Sequence, residues 1–434
     1  MQARGGVIRV PAGAAAYRRR PLRPMAAVRP VSSTRWSFGL LLLFLVLLYA
    51  SLPLHFPELE RAAPAQTVAI AALAVFFLEK WLHGRPLRLA RPETHLLLAL
   101  LVIAGLSTFG ALWPRYAAEQ TVALLKMVAV YLLVLNTVDS WKRLRLTMGA
   151  AVVGGLFPAV GALADYSLRD YRSGERAQWV GLFENPNDLA YALVLLLPLA
   201  LALAPGARGL GKPLYWGAAI VFTAATLLTF SRGGLLGLWV VALLCLLHWG
   251  GTTVRIMGAL VMSASLIFAT AFWTRRDTGG EVVDEATLRL RMTTIQAGIA
   301  MVADRPLLGV GLGCSVLGWP LYAPPDTDAE TWLHSHNTIV QVFTETGVLG
   351  GATFLLLLGA TFHGTYRAAR WWRQRRRRDL HRLVTSLEIS LVGFLVCGLT
   401  GGYLLSWFPY LLLGLASAAR ALPEPLRPAV KAMR

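Results

Sequence analysis

Twelve long apolar stretches divide this chain and restrict it to a helical membrane architecture. A membrane-spanning helix needs about 20 mainly apolar residues, because lipid cannot satisfy the polar groups of the backbone. This pattern predicts an all-α polytopic membrane protein with about 12 transmembrane helices. The candidate spans are 36–54, 65–82, 95–113, 121–136, 146–166, 187–205, 213–230, 234–250, 256–273, 338–362, 383–400 and 404–419.

Composition agrees with membrane embedding. Of the 434 residues, 56% are hydrophobic and only 15% are charged, a balance that is rare in soluble domains. The predicted organisation is a basic tail (1–35), nine helices (36–273), a loop domain (274–337), three helices (338–420) and a second tail (421–434).

The distribution of lysine and arginine predicts the orientation. Basic residues in short loops mark the cytoplasmic side of a membrane protein. The first 35 residues contain eight arginines and no acidic residue, and a further basic run lies at 375–378. Both termini are therefore predicted to be cytoplasmic. The net charge of +19 is dispersed between apolar spans, so a nucleic-acid partner is not expected.

With this orientation, two long segments lie on the outer side, at 167–187 and 275–335. Loops longer than about 15 residues are usually functional or disordered. The second segment has a helical pattern at 285–303 and aromatic residues, which predict a folded helical cap. Cys245, Cys314 and Cys397 suggest neither a disulfide nor a metal site. The acidic residues that follow the Pro-Pro turn at 324–325 are interpreted as a solvated face, so no metal or cofactor is predicted.

His336 is the leading catalytic candidate. It lies where the long polar segment meets an apolar helix, and a histidine can exchange a proton near neutral pH. The alternative is a helix-capping or interfacial histidine. Its neighbours Asn337 and His334 are possible supporting residues.

Arginines outside the predicted cytoplasmic loops are candidates for binding phosphate, because a guanidinium offers forked donors and stays charged. Arg232 precedes two glycines. Arg289 and Arg291 are two residues apart on the predicted loop helix, so they point about 200° apart. Arg232 is the preferred ligand, Arg289 fits snorkelling to lipid headgroups better, and for Arg291 both interpretations stay open at this point.

Two further positions are ambiguous. Lys126 lies within a predicted span, where an ionisable group is a functional candidate, but it could also snorkel from a site about 8 Å below the outer end. Asn187 belongs to Asn185-Pro186-Asn187-Asp188 at the start of a span. An ordinary helix cap is the favoured interpretation there.

Several of these motifs together resemble the O-antigen ligase and polymerase superfamily. His336-Asn337 is followed after nine residues by Gly347-x-x-Gly350, and similar motifs occur at 185–190, 231–233 and 304–311. Arg291 precedes Pro306 by fifteen positions, as an arginine does in relatives, although Ile295 stands where relatives often have tryptophan.

The resemblance implies a GT-C-type glycosyltransferase at the outer, periplasmic face of a bacterial inner membrane. Its donor would be a glycan on undecaprenyl diphosphate, and the reaction would be inverting and metal-independent, with His336 as general base. Arg232, Arg291 and Lys126 would contact the lipid diphosphate. The partners would be this donor, an acceptor and the surrounding membrane lipids.

Within the superfamily, an O-antigen ligase acting on lipid A–core is the first expectation. An O-antigen polymerase, which extends a second lipid-linked repeat, and a protein O-oligosaccharyltransferase are the alternatives. A lipid or solute transporter is the alternative from another class, with Lys126 and His336 as a proton relay. The sequence has no evident internal repeat of the transporter type.

Overall fold

The computed structural model describes residues 34–50, 63–168, 176–272, 285–325, 327 and 335–425. These residues form helices, turns and connecting segments, and none of them forms a β-strand. The α-helices are α1 (Arg35–Ala50), α2 (Pro64–Leu82), α3 (Glu93–Ser107), α4 (Pro114–Thr137), α5 (Trp141–Leu168), α6 (Pro186–Leu203), α7 (Gly211–Leu228), α8 (Arg232–Trp249), α9 (Thr252–Phe272), α10 (Glu285–Asp304), α11 (Cys314–Tyr322), α12 (Thr338–Gln374), α13 (Arg378–Gly398) and α14 (Trp407–Arg420).

Each predicted span overlaps one of these helices. Eight helices among the described residues are long and apolar enough to cross a membrane: α2, α3, α4, α5, α6, α8, α12 and α13. The all-helical membrane class is therefore confirmed, and the count of twelve spans stays a prediction.

Helix α6 lies at the centre of the bundle. It is apolar on all sides and nearly every residue is buried, as expected for a helix with no lipid-facing or water-facing stripe. It packs against α5, α7, α8 and α13, and α13 in turn packs against α8, α12 and α14. The Ser390 hydroxyl of α13 donates to the Leu195 carbonyl of α6 at 2.7 Å. These contacts fix the ends of α6, α8 and α12 relative to one another.

The two largest differences from the predicted spans are at the start of α4 and at the end of α12. The predicted spans 95–113 and 121–136 leave residues 114–120 as a connecting loop, but Pro114 is the first residue of α4, a position that suits proline because its missing N–H is not needed there. Lys126 therefore lies about 18 Å along the axis from the start of its helix, rather than about 8 Å. Helix α12 continues to Gln374, twelve residues past its predicted end. The end of the loop helix at Asp304 is confirmed within one residue.

Candidate functional site

His336 and Asn337 form the turn that starts α12. The Asn337 side-chain oxygen accepts hydrogen bonds from the backbone N–H groups of Ile339 and Val340, at 3.0 and 3.1 Å. Asn337 is thus the N-cap of α12, and His336 is not. His336 has a φ of 44°, in the left-handed region that non-glycine residues rarely adopt, and its side chain is half-buried. Such backbone strain is frequent at functional sites.

The loop between α13 and α14, residues 399–406, holds this turn in place. The Thr338 hydroxyl donates to the Gly401 carbonyl at 2.8 Å and accepts from the Tyr403 N–H at 2.9 Å. The Asn337 side-chain amide donates to the Leu399 carbonyl at 3.5 Å. The 399–406 loop therefore sets the position of the backbone that carries His336.

Arg176, a residue that sequence reasoning missed, links the start of α6 to the turn before α8. Asn185 caps α6 by accepting from the Asn187 N–H at 2.9 Å, which confirms the capping interpretation. The Asn187 side-chain oxygen accepts from the Arg176 guanidinium at 2.8 Å, and Arg176 also donates to the Thr229 carbonyl at 2.7 Å. Arg176 thereby joins the segment before α6 to the turn between α7 and α8.

Tyr403 connects the 399–406 loop to α6. Its ring stacks on Tyr191 with centroids 3.8 Å apart, and its hydroxyl donates to the Asn187 carbonyl at 3.4 Å. Burial raises the pKa of the Tyr403 phenol well above its ordinary value, and the Asp188 carboxylate adds to this, whereas the charge of Arg291 acts in the opposite direction. Arg291 is therefore within electrostatic range of a loop that also contacts His336-Asn337.

Arg232 is positioned by the first turn of α8. Ser231 caps this helix by accepting from the Gly234 N–H at 3.1 Å, which leaves Arg232 as its first residue, with an exposed side chain. Gly233 faces the Thr400 side chain so closely that a Cβ would collide with it. The glycine after Arg232 thus allows α8 to approach the 399–406 loop.

The motif at 304–311 docks into a break in α12. Gly347 has a φ of 67° and a ψ of −170°, which interrupts the helix and frees backbone groups. The Thr344 carbonyl accepts from the Val310 N–H at 2.9 Å, and the Val348 N–H donates to the Pro306 carbonyl at 2.8 Å. The two sequence motifs thus meet backbone to backbone.

Replacing Gly347 with alanine is expected to destabilise the protein by about 1–3 kcal/mol or more, because the residue would be strained at positive φ and its Cβ would overlap the Leu307 backbone. The control is Gly359→Ala in the same helix, where a Cβ meets nothing within 4 Å. Thermal unfolding in detergent measures both. Equal stability of the two variants would contradict the docking described here.

Comparison with known protein families decides the identity. Residues 217–355 match the family model described as O-antigen ligase. The match of this segment supports the O-antigen ligase and polymerase superfamily. The comparison with curated proteins gave no match. The resemblance seen in the sequence is thus confirmed.

The segment that matches the family model, residues 217–355, contains most of the predicted site residues. Arg232, Arg291 and His336 lie inside 217–355, as do both halves of the docking at Gly347. Arg176, Asn187, Tyr403 and the rest of the 399–406 loop lie outside this segment, so the fold adds elements to the site that the family match does not cover.

The remaining predicted residues differ in their surroundings. Arg291 is half-buried on α10, whereas Arg289 is exposed, as expected for side chains on different faces of one helix. Lys126 is exposed on α4. His334 lies outside the described residues.

Glu345 is a buried carboxylate that sequence reasoning overlooked. It accepts from the Ser315 hydroxyl at 2.6 Å and from the Gln341 amide at 3.2 Å, and Gln341 accepts from the Leu404 N–H at 3.4 Å. This network joins α11 and α12 to the 399–406 loop. An acidic residue within a predicted apolar span was the signal that could have revealed it.

The described residues include no group of three or more His, Cys, Asp and Glu side chains that could hold a metal ion. The ionisable groups on the elements around the 399–406 loop are arginines, His336, buried tyrosines and the carboxyl groups of Glu345 and Asp188. Arginines can bind an anion, and a histidine can exchange a proton near neutral pH.

Proposed function

We propose that this protein transfers an O-antigen glycan from undecaprenyl diphosphate to a sugar hydroxyl of lipid A–core, at the periplasmic face of a bacterial inner membrane. The superfamily implies a glycosyltransferase-like enzyme with lipid-linked glycan substrates. The observation that carries the proposal is the 399–406 loop, which holds the His336-Asn337 turn through Thr338 and lies against Gly233, the residue that follows Arg232.

In the proposed reaction, His336 is the general base. Its imidazole takes the proton from the acceptor hydroxyl, and the oxygen attacks the anomeric carbon opposite the diphosphate. A new glycosidic C–O bond forms while the C–O bond to the diphosphate breaks. Undecaprenyl diphosphate leaves with the electron pair, and the anomeric configuration is inverted. Water afterwards takes the proton from the imidazolium.

The leaving group is already ionised, so charge stabilisation matters more than protonation. Arg232 and Arg291 are proposed to bind the diphosphate oxygens. Lys126 is proposed to contact the donor along α4. Asn187 and Asn337 are proposed to support the site through the hydrogen bonds described above. Arg289 and His334 are proposed to contribute less to transfer.

Reconstitution provides the direct test. The purified protein, supplied with lipid-linked glycan and truncated lipopolysaccharide in the presence of a chelator, is expected to attach glycan to lipid A–core. Loss of activity with chelator, restored by a divalent cation, would contradict metal independence.

The product distinguishes the alternatives. An O-antigen polymerase would lengthen the lipid-diphosphate glycan without using lipopolysaccharide, and a protein O-oligosaccharyltransferase would glycosylate protein. A transporter would form no bond. The presence of one dominant outer segment that contains both Arg291 and His336 favours the ligase, because two sizeable outer loops are expected to share the work in a polymerase.

The proposed orientation can be tested by cysteine labelling. In a background with Cys245, Cys314 and Cys397 replaced by alanine, Thr327→Cys is expected to react with a membrane-impermeant thiol reagent from the periplasm. Gln374→Cys should react only after the membrane is opened, because arginine-rich segments stay cytoplasmic. Labelling of Gln374→Cys in intact cells would reverse the orientation and place the His336 turn inside.

A further inference from the structure

The end of α12 opposite to His336 carries a second concentration of positive charge. Arg373 lies about 50 Å along the helix axis from Thr338. A cavity of about 340 Å³ opens here, and it is lined by Arg373, Arg376, Arg378 and His381. This cavity is far from the site described above, and the proposed reaction does not use it.

Nearby carboxylates are paired with other arginines. Asp379 lies 3.3 Å from the Arg145 guanidinium and 3.4 Å from that of Arg377. Glu424 lies 3.8 Å from Arg375, whose guanidinium also covers the Trp371 ring at 3.9 Å.

The three arginines that line the cavity differ from these. Among the described residues, no carboxylate forms an ion pair with Arg373, Arg376 or Arg378. His381 faces the Ala369 carbonyl, at 3.0 Å from its Nδ1. Folding thus gathers several cationic groups around one space without an internal anion, an arrangement that is stable when an external anion occupies it.

The turn between α12 and α13, residues 375–377, sets the relative positions of these arginines. Arg376 has a φ of 58°, which reverses the chain between α12 and α13 within three residues. Arg378 is the first residue of α13, so the partial positive charge of that helix end adds to the field in the cavity. Guanidinium groups bind two oxygens of a phosphate or a carboxylate at once, so the cavity suits an oxyanion.

We infer that this basic cavity binds the phosphate of an anionic phospholipid headgroup. The position favours a lipid over a free phosphate: the cavity lies at the end of two helices long and apolar enough to span a membrane, next to the partly exposed Trp371, and tryptophan concentrates at membrane interfaces. Basic clusters beside a transmembrane helix attract anionic lipids.

The test measures binding of short-chain phosphatidylglycerol to the purified full-length protein by native mass spectrometry, with phosphatidylcholine and inorganic phosphate as the other arms. The variant combines Arg373→Gln, Arg376→Gln and Arg378→Gln. Affinity for phosphatidylglycerol is expected to fall roughly a hundredfold, at about fivefold for each arginine. The matched control removes the same charge through three exposed arginines, Arg208→Gln, Arg367→Gln and Arg370→Gln.

The control is expected to change the affinity by less than about threefold, since its arginines do not line the cavity. Thermal unfolding of both proteins establishes that they are folded. An equal loss in both variants would show an unspecific surface-charge effect and overturn the inference. Equal binding of phosphatidylcholine, or binding of inorganic phosphate alone, would overturn the assignment to an anionic lipid.

Discussion

Replacing His336 with alanine is expected to lower glycan transfer by roughly 10²–10⁴-fold, the usual contribution of a general base. The acceptor hydroxyl is a poor nucleophile, and without the imidazole its proton would have to leave directly to water. The measurement is transfer to truncated lipopolysaccharide by the reconstituted protein. Donor binding should be retained, since the proposed phosphate ligands are unchanged.

The backbone at His336 calls for a second variant. A φ of 44° strains most side chains, so alanine could disturb the turn as well as remove the base. Asparagine tolerates this conformation better and has no basic group, so His336→Asn isolates the chemical role. The matched control is His363→Ala, an exposed histidine of α12, the helix that follows His336. Near-normal turnover by His336→Asn would exclude His336 as the base.

The sequence predicted the membrane class correctly because bilayer thickness sets the length of a spanning apolar segment, and that length can be counted in the sequence. It was less informative about helix ends. The polar residues of 114–120 suggested a loop, yet Pro114 begins α4. Helix α12 also continues beyond its apolar part into a basic segment. Arginine is compatible with a helix there because its apolar stem can lie along the protein surface while its charged group reaches water.

Part of the candidate site was visible in the sequence because its residues belong to ordered motifs. His336, Arg232 and Arg291 were found in this way. The 399–406 loop was not, since its residues show no motif and act through backbone and hydroxyl hydrogen bonds. Such contacts depend on the packing of α6, α12 and α13, which no local pattern encodes. Arg176 could have been noticed as another arginine in an outer segment.

Arg289 and Arg291 on α10 allow a direct comparison of two neighbouring arginines in transfer activity. Arg291→Lys is expected to lower transfer by roughly 10–100-fold, because lysine keeps the charge but cannot hold two phosphate oxygens at once. Arg289→Lys should keep near-normal activity, since Arg289 is exposed and on another face of the helix. Arg232→Lys is expected to behave like Arg291→Lys.

The defect should appear when donor concentration is varied, because these arginines are proposed to contact the lipid diphosphate and not the acceptor sugar. If Arg289→Lys is inactive and Arg291→Lys is normal, the wrong face of α10 has been assigned to the donor. If both α10 variants are active while Arg232→Lys is not, α10 contributes no phosphate ligand. Arg291 would then act only as a charge beside Tyr403, and α10 would serve to cover the site.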